Sequence, residues 1–313
     1  ALLAAGLTLL WALTRGWRES EITRFVHPAI PLLFLVTCGW VLVQAAEWAP
    51  AAWKHPLWLE TATVLGADVP GLISLSAEDS YTALLRLLGY ALVFFLAFQL
   101  ARERSRARAM LGWVVMAGLA YGVFGLIVFW SDYSPDWLFR GKVLMPDVRS
   151  TFVNRNHFAT WQGLTLLAAV ALFYLRMART DRRPYVLPGD RATSIENLIL
   201  KAWQPLTIIL LLATALVLTH SRGGFVATML AVVVLLALLD SRTAVKRSRA
   251  RVAVVSALAV SGLAFYLSSE VLLNRIERTD ITAEGRLVVY QNVQHGIADN
   301  PLLGFGYGTF ADS

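Results

Sequence analysis

The stretch RSTFVNRNHFATWQGLTLLAAVALFYL, residues 149–175, decides the fold because it places cations directly before a long apolar run. The run contains no Asp, Glu or Lys residue and does not alternate between polar and apolar residues as a barrel strand would. A helix needs an apolar segment of about 20 residues to cross the hydrocarbon of a bilayer. The stretch therefore predicts a membrane-spanning helix over 157–175, with Arg149, Arg155 and His157 at its mouth.

Apolar runs of this kind recur along the whole chain. Of its 313 residues, 57% are hydrophobic and only 16% are charged. Backbone groups inside hydrocarbon must bond to one another, so runs of this length form helices. We predict an all-α, polytopic transmembrane bundle instead of a soluble core. About eight spans are expected, with soft boundaries at 1–13, 28–46, 82–100, 109–130, 157–175, 205–219, 224–239 and 252–268.

The first run, ALLAAGLTLLWAL, is shorter than a complete span. It has about 13 residues, whereas a span needs roughly 20. Its charges follow it instead of preceding it, which is not the pattern of a signal peptide. We therefore expect the chain to open partway through a helix and to be a fragment of a longer protein.

The connections between the runs differ in charge. Four connections together hold 18 of the 28 Lys and Arg residues. These four are 14–27, 101–109, 176–204 and 241–251. The positive-inside rule makes them cytoplasmic, so that the remaining connections lie outside. The outer set comprises 47–81, the loop 131–156, the short turn 220–223 and the tail from 269.

This orientation predicts two parts, a transmembrane bundle at 1–268 and an outer segment at 269–313, for which the periplasm is the natural location. The isoelectric point near 9.8 then reflects topology signals and contacts with anionic lipid. A nucleic-acid partner is not expected, although so basic a chain invites that interpretation.

The predicted spans carry almost no ionisable residues, which moves the chemistry to the outer surface. The span at 82 begins in the ordinary way, after Glu78, Asp79 and the hydroxyl of Ser80. The span at 224, by contrast, follows Arg222 just as the span at 157 follows two arginines. A cation at a helix start opposes the helix dipole by roughly 0.3–1 kcal/mol, and a bound anion reverses that sign.

Helix starts, backbone N–H groups and arginines together make an anion site, above all for phosphate. Gly223 and Gly224 fit this idea, because a reversal of about four residues needs unusual dihedrals and a bare backbone admits a phosphate. The alternatives are that Arg222 merely snorkels to the interface and that the other arginines are solvated loop charges. His157 can equally be an interfacial residue without chemistry.

The tail holds a further cationic element. An amphipathic helix is predicted from about 283 to 298, because apolar residues recur there at helical spacing. Pro301 ends it, and the glycine-rich GFGYG follows. Such a helix would lie on the outer leaflet and aim Arg286 over the mouth of the bundle. The alternative is a surface helix that rests on lipid and has no chemical role.

Metal and cofactor chemistry have no signature in the sequence. The single cysteine, Cys38, lies in an apolar run and is expected to be a small buried hydrophobe. There is no His/Cys/Asp spacing typical of a metal site and no phosphate-binding loop of the Walker type. We therefore predict that the protein uses neither a metal nor a cofactor.

Three motifs, STFVNRNHFA, SRGGF and GRLVVYQNVQHGIADNPLLGFGYGTF, together resemble the O-antigen ligase and O-antigen polymerase superfamily, which includes exopolysaccharide polymerases and protein O-oligosaccharyltransferases. They occur in family order over about 150–310. The resemblance implies a helical membrane fold similar to the GT-C glycosyltransferases. It also implies metal-independent, inverting transfer of a glycan from an undecaprenyl-diphosphate carrier, at the periplasmic face of a bacterial inner membrane that the chain crosses several times. The resemblance further implies that 269–313 is the truncated start of a larger periplasmic segment. The acceptor would be lipid A-core in lipopolysaccharide synthesis, another lipid-linked glycan, or a protein hydroxyl.

The resemblance assigns the two functional cations of the family to Arg222 and Arg286. Arg149, Arg155, His157, Gly223 and Gly224 are added as substrate-binding residues by the anion-site argument above. The family places its favoured base, a His-Asn motif, beyond the NPLLG region. We therefore expect the base beyond Ser313 and expect this stretch alone to be inactive. Two other functions stay open, a flippase for anionic lipid-linked glycans and a non-catalytic scaffold of envelope assembly.

Overall fold

The computed structural model describes residues 28–131, 147–180, 191–241 and 280–310, together with isolated positions within 3–10 and position 262. Within these ranges the chain is helical and contains no β-strand, which confirms the all-α prediction. The helices are α1 Ala29–Gln44, α2 Leu57–Leu65, α3 Ala77–Leu100, α4 Arg104–Trp130, α5 Arg155–Thr180, α6 Arg191–Leu218, α7 Arg222–Ser241 and α8 Asp280–Asp299. A single 3₁₀ turn spans Ala51–Trp53.

Four of these helices are long and apolar enough to cross a membrane. They are α3, α4, the Arg155–Met177 part of α5 and the Arg222–Leu239 part of α7. Two apolar segments are shorter, α1 and the Ala202–Leu218 part of α6. The predicted spans at 1–13 and 252–268 lie almost wholly outside the described residues, so the count of eight and the GT-C-like fold stay predictions.

The helices begin a little earlier than their apolar runs. Helix α3 starts at Ala77, where the side chain of Ser76 accepts a hydrogen bond of 3.2 Å from the backbone N–H of Asp79. The prediction that the hydroxyl of Ser80 caps this helix was therefore wrong. Ser80 is buried within the first turns of α3, and its hydroxyl forms a hydrogen bond with the hydroxyl of Ser74. Glu78 and Asp79 do lie in the first turn, where they complement the helix dipole.

The largest difference from the sequence prediction concerns α6. The sequence predicts a cytoplasmic linker over 176–204, which can hold an interfacial helix near its end, and a separate span from 205. Instead α6 is continuous from Arg191 to Leu218 and contains Pro205 in its interior. Residues 191–201 are polar enough to obscure the helix in a hydropathy profile, although most of them are good or neutral helix formers.

The chain divides into two compact units. One unit, Arg104–Glu277, contains α4 to α7, and α5 packs against each of the other three helices. Small residues permit close approach: a Cβ atom on Gly118 would overlap the side chain of Thr165, and one on Gly122 would lie 3.2 Å from Gln162. The centre is filled by fully buried side chains. These include Phe158, Leu166, Val170, Tyr174, Ile209, Leu212, Leu216 and Val232.

The other unit, Ala1–Glu103 with Arg278–Ser313, contains α1, α2, α3 and α8. Its centre is a polar link formed by Gln44, whose amide donates to the carbonyl of Leu303 at 2.8 Å and accepts from the N–H of Tyr307 at 3.1 Å. The glycine-rich segment after α8 can follow this path because Gly306 adopts φ of 105° and lies against Ser74. Both α8 and this glycine loop were predicted.

Candidate functional site

The start of α5 is capped by an asparagine. The side-chain Oδ1 of Asn154 accepts a hydrogen bond of 2.8 Å from the backbone N–H of Asn156, which is the arrangement of an N-cap. Arg155 is the first residue of the helix, and His157 lies exposed in its first turn. A neutral side chain thus caps the helix, and the residue that follows the cap is a cation.

The start of α7 has the same chemistry. The hydroxyl of Ser221 accepts a hydrogen bond of 3.3 Å from the N–H of Gly224, and Arg222 is the first residue of the helix. The residue before the cap, His220, adopts φ of 51° and so occupies the left-handed region. Left-handed backbone is uncommon for residues other than glycine.

The predicted role of the two glycines in the turn was therefore wrong. Gly223 and Gly224 belong to the first turn of α7, and the unusual dihedral angle falls on His220. Gly224 is needed for packing instead, because a Cβ there would lie 2.7 Å from the Cβ of Ala159. A Cβ on Gly223 would meet nothing within 4 Å, so that the backbone at this position is open.

The two helix starts lie side by side. The hydroxyl of Ser221 donates a hydrogen bond of 2.8 Å to the side-chain oxygen of Asn156. One turn further in, Thr228 of α7 lies against Gly163 of α5. Two of the motifs predicted from sequence are thus brought together at one end of the α4–α7 unit. We call residues 147–157 and 219–224 the helix-start cluster.

A buried carboxylate, Asp147, lies at the centre of the helix-start cluster. Its side chain is only 3% exposed. One oxygen, Oδ2, pairs with Nη1 of Arg155 at 3.0 Å and with Nη2 of Arg149 at 3.4 Å. The other oxygen, Oδ1, lies 2.9 Å from Nδ1 of His220. The next residue, Val148, donates its N–H to the carbonyl of Leu218 at the end of α6.

Asp147 changes the interpretation of the two arginines before α5. From the sequence we expected Arg149 and Arg155 to face a missing anion, but the chain supplies one itself. Burial acts to raise the pKa of the Asp147 carboxyl, and the hydrogen bond from His220 and the charge of Arg155 outweigh it. The pKa therefore lies below the ordinary value of 3.8, and the carboxylate is charged at neutral pH.

The helix-start cluster keeps an excess of positive charge. It holds three arginines against one carboxylate, with its two histidines counted as neutral. Arg155 is 39% exposed on its side chain, so part of its guanidinium faces outward. Arg222 is exposed and has no ion pair within the described ranges. An anion would therefore find exposed guanidinium groups beside two helix starts.

The remaining predicted cation, Arg286, lies in the second turn of α8 and belongs to the other unit. That Arg286 and Arg222 act on one substrate stays a prediction.

No group of three or more His, Cys, Asp or Glu side chains that could hold a metal ion occurs among the described residues. Cys38 is buried, as predicted.

Comparison with known proteins gives one finding. Residues 207–313 match the family model described as O-Antigen ligase. The match covers the end of α6, all of α7 and all of α8, and so includes Arg222 and Arg286. It confirms the resemblance to the O-antigen ligase superfamily, and it indicates glycan transfer of the ligase or polymerase type. No curated protein and no solved structure matches the chain.

Asp147 is the residue of the site that sequence reasoning missed. It lies two positions before Arg149, in a loop that also contains Asp132 and Asp136. One signal could have pointed to it, namely that cations crowded at a helix start need a compensating anion nearby. Nothing in the sequence says which of the three carboxylates provides it.

Proposed function

We propose that the protein transfers a glycan from an undecaprenyl-diphosphate carrier to an acceptor at the periplasmic face of the bacterial inner membrane. The acceptor is lipid A-core, a growing polysaccharide or a protein hydroxyl. Transfer inverts the anomeric centre and uses no metal. The polyprenyl chain of the donor would lie in the membrane, so that its diphosphate reaches the ends of the helices.

One observation carries the proposal: the starts of α5 and α7 meet in a cluster that has more guanidinium groups than carboxylates. Helix starts present free N–H groups and the positive end of the dipole, which is the ordinary environment of bound phosphate. Arg222 adds an exposed guanidinium, whose planar fork of donors matches two phosphate oxygens. The match of residues 207–313 to the O-antigen ligase family supports the same substrate class.

The chemistry follows from the leaving group. The acceptor oxygen attacks the anomeric carbon from the side opposite the diphosphate, and the bond between the anomeric carbon and the diphosphate oxygen breaks. The bonding electrons leave with the diphosphate, while the acceptor proton passes to a base. Negative charge therefore grows on the phosphate oxygens in the transition state. Arginines fixed in place beforehand stabilise this charge without reorganising, which lowers the barrier.

The residues divide by role. Arg222 and Arg286 are proposed to neutralise the departing diphosphate. Arg155 and Arg149 contribute the N–H groups that Asp147 and the carbonyl of Val153 do not use, and His157 lies exposed in the first turn of α5. The open backbone at Gly223 lets a phosphate approach the N–H groups of α7, whereas Gly224 serves the packing of the helix starts.

The first experiment compares matched arginines in the full-length protein. Arg222→Ala and Arg286→Ala are expected to abolish glycan transfer in membranes while the protein accumulates normally. Arg104→Ala is the control for Arg222, because Arg104 is also an exposed first residue of a helix, α4, on the predicted cytoplasmic side. Normal transfer by both Arg222→Ala and Arg286→Ala, or equal loss in Arg104→Ala, would reject the proposal.

The second experiment identifies the acceptor class. In a deletion strain, full-length glycan left on its carrier indicates a ligase, and single repeat units on the carrier indicate a polymerase. Purified protein that moves labelled carrier lipid across vesicles without transferring glycan would instead indicate a flippase. Unimpaired envelope glycan in the deletion strain would point to a scaffold.

A further inference from the structure

Asp147 contacts both cationic motifs of the helix-start cluster. Through Oδ2 it holds Arg155, the first residue of α5, and Arg149 of the preceding loop. Through Oδ1 it holds His220, which lies two residues before Arg222. The adjoining backbone bond from Val148 to Leu218 fixes the loop on the end of α6. One carboxylate thus connects the loop, the start of α5 and the turn between α6 and α7.

His220 is held in a conformation that its residue type rarely adopts. Its φ of 51° costs energy for a residue with a Cβ atom, and such conformations persist where surrounding contacts fix them. The bond of 2.9 Å from its Nδ1 to Asp147 is such a contact. This bond therefore helps to fix the turn before Arg222, together with the bonds from the N–H of His220 to the carbonyl of Val217 and from the hydroxyl of Ser221 to Asn156.

Asp147 is unsuited to direct contact with the substrate. Its side chain is 3% exposed, and both of its oxygens are occupied. Its negative charge would also repel a diphosphate. Its effect on a reaction must therefore pass through the cations that it holds.

We propose that Asp147 is the positioning residue of the site, which presets Arg155 through one oxygen and the turn leading to Arg222 through the other. The inference rests on the proposed function and names a residue that neither the predicted motifs nor the family match assigns. Guanidinium groups held in place before the diphosphate departs stabilise its charge without reorganisation. A guanidinium without its counter-charge would have to be ordered during each turnover.

The direct test is Asp147→Asn in the full-length protein, assayed with the lipid-linked glycan as substrate. The variant keeps the size of the side chain and removes its charge. We expect kcat to fall about 10- to 100-fold, which is somewhat less than the loss of a group that touches the transition state. The KM for the donor should change less than about threefold, because exposed Arg222 still attracts the diphosphate. A loss of folded enzyme would also lower the apparent kcat at constant KM, so kcat is expressed per amount of folded protein in the membrane. A fall in activity that only follows the folded amount would overturn the positioning role.

A second test compares two substitutions at residue 220. Asparagine and glycine both tolerate the left-handed backbone. Nδ2 of asparagine and Nδ1 of histidine are both bonded to Cγ. Asparagine at position 220 can therefore donate a hydrogen bond to Asp147, whereas glycine cannot. His220→Asn should therefore retain most of the wild-type kcat. In His220→Gly we expect kcat to fall about tenfold, which is the lower end of the range expected for Asp147→Asn.

The outcomes separate this inference from the proposed function. Wild-type kcat in Asp147→Asn overturns the positioning role and leaves glycan transfer standing. If Asp147→Asn does not accumulate in membranes, the pair at residue 220 decides: equal kcat in His220→Asn and His220→Gly overturns the role. If the full-length wild type transfers no glycan at all, the proposed function fails and this inference fails with it.

Discussion

The start of α3 and the starts of α5 and α7 solve the same electrostatic problem in opposite ways. Helix α3 begins with a serine cap and two acidic residues, Glu78 and Asp79, in its first turn. Helices α5 and α7 begin with neutral caps followed by Arg155 and Arg222, and neither has an acid in its first turn. At α3 the local sequence complements the dipole. At α5 the compensating charge comes from Asp147, which pairs with Arg155, whereas Arg222 at α7 has no ion pair within the described ranges.

This difference explains why one start is structural and the other is a candidate site. A helix start with its own acids has no remaining attraction for an anion. A start whose first residue is an arginine, and whose single counter-ion is buried, keeps that attraction. Under the proposed function, the arrangement costs a little stability in the absence of substrate and stabilises the diphosphate when it binds, as functional sites commonly do.

The largest expected effect is a reversal of charge at the start of α7. Arg222→Glu places at α7 the kind of residue that α3 already has, and it repels the diphosphate. We expect glycan transfer to fall about 100- to 1,000-fold, since a group aimed at the developing charge is lost. Arg104→Glu, at the start of α4, serves as the control. Transfer within about threefold of wild type in Arg222→Glu would contradict the comparison.

Substitution of the two glycines in the first turn of α7 is expected to have smaller effects. Gly224 should affect stability, and Gly223 should affect glycan transfer. Gly224→Ala should destabilise the protein by about 1–3 kcal/mol, because its Cβ has no room beside Ala159. Gly223→Ala has open space and should leave the melting temperature unchanged or slightly raised. If a phosphate approaches this backbone, Gly223→Ala still lowers transfer by about tenfold. Equal transfer in Gly223→Ala and wild type would exclude a close approach at this position.

A pH dependence of stability follows from Asp147. Its pKa is lower in the folded protein than the ordinary 3.8, so the carboxylate stabilises the fold at every pH above that value. This contribution is lost as the pH falls through the folded pKa. Asp147→Asn should therefore lower stability by about 1–3 kcal/mol at pH 7. The difference in melting temperature from wild type should shrink in acid; a difference that is constant down to pH 3 would contradict the assignment.

The smallest effect is expected at the structural start. Replacing the acids of α3, as Glu78→Gln with Asp79→Asn, should cost about 0.3–1 kcal/mol for each residue. Glycan transfer should stay within about twofold of wild type at equal protein amount, because this start holds no anion. A loss of transfer as large as that of Arg222→Ala would remove the distinction between the two kinds of start.

Much of the fold followed from hydropathy, because an apolar run in a membrane has few conformations open to it. The runs at 82–100, 109–130, 157–175 and 224–239 are helices within a few residues of the predicted bounds. The exception is α6, whose first part is polar and whose Pro205 resembled a boundary. Hydropathy detects burial in lipid and does not detect helices that extend beyond it.

The site was predictable only in part, for a different reason. Cations at helix starts are visible in the sequence, and the structure brings the starts of α5 and α7 together. Which acid of the loop pairs with the arginines is determined by the tertiary structure, and that acid is Asp147. The same holds for the left-handed conformation of His220, which was expected at the glycines instead. Local propensity could not reveal either one, since both depend on contacts across 73 residues of sequence.

The central claim is that the helix-start cluster binds the diphosphate of a lipid carrier on the outer face. The most direct measurement is reaction of Val153→Cys, an exposed position of the helix-start cluster, with a membrane-impermeant maleimide, in a full-length protein whose other cysteines are replaced. The account predicts labelling from the periplasmic side, with protection by undecaprenyl diphosphate and none by uncharged undecaprenol. Labelling from the cytoplasmic side alone, or equal protection by the two lipids, would contradict it.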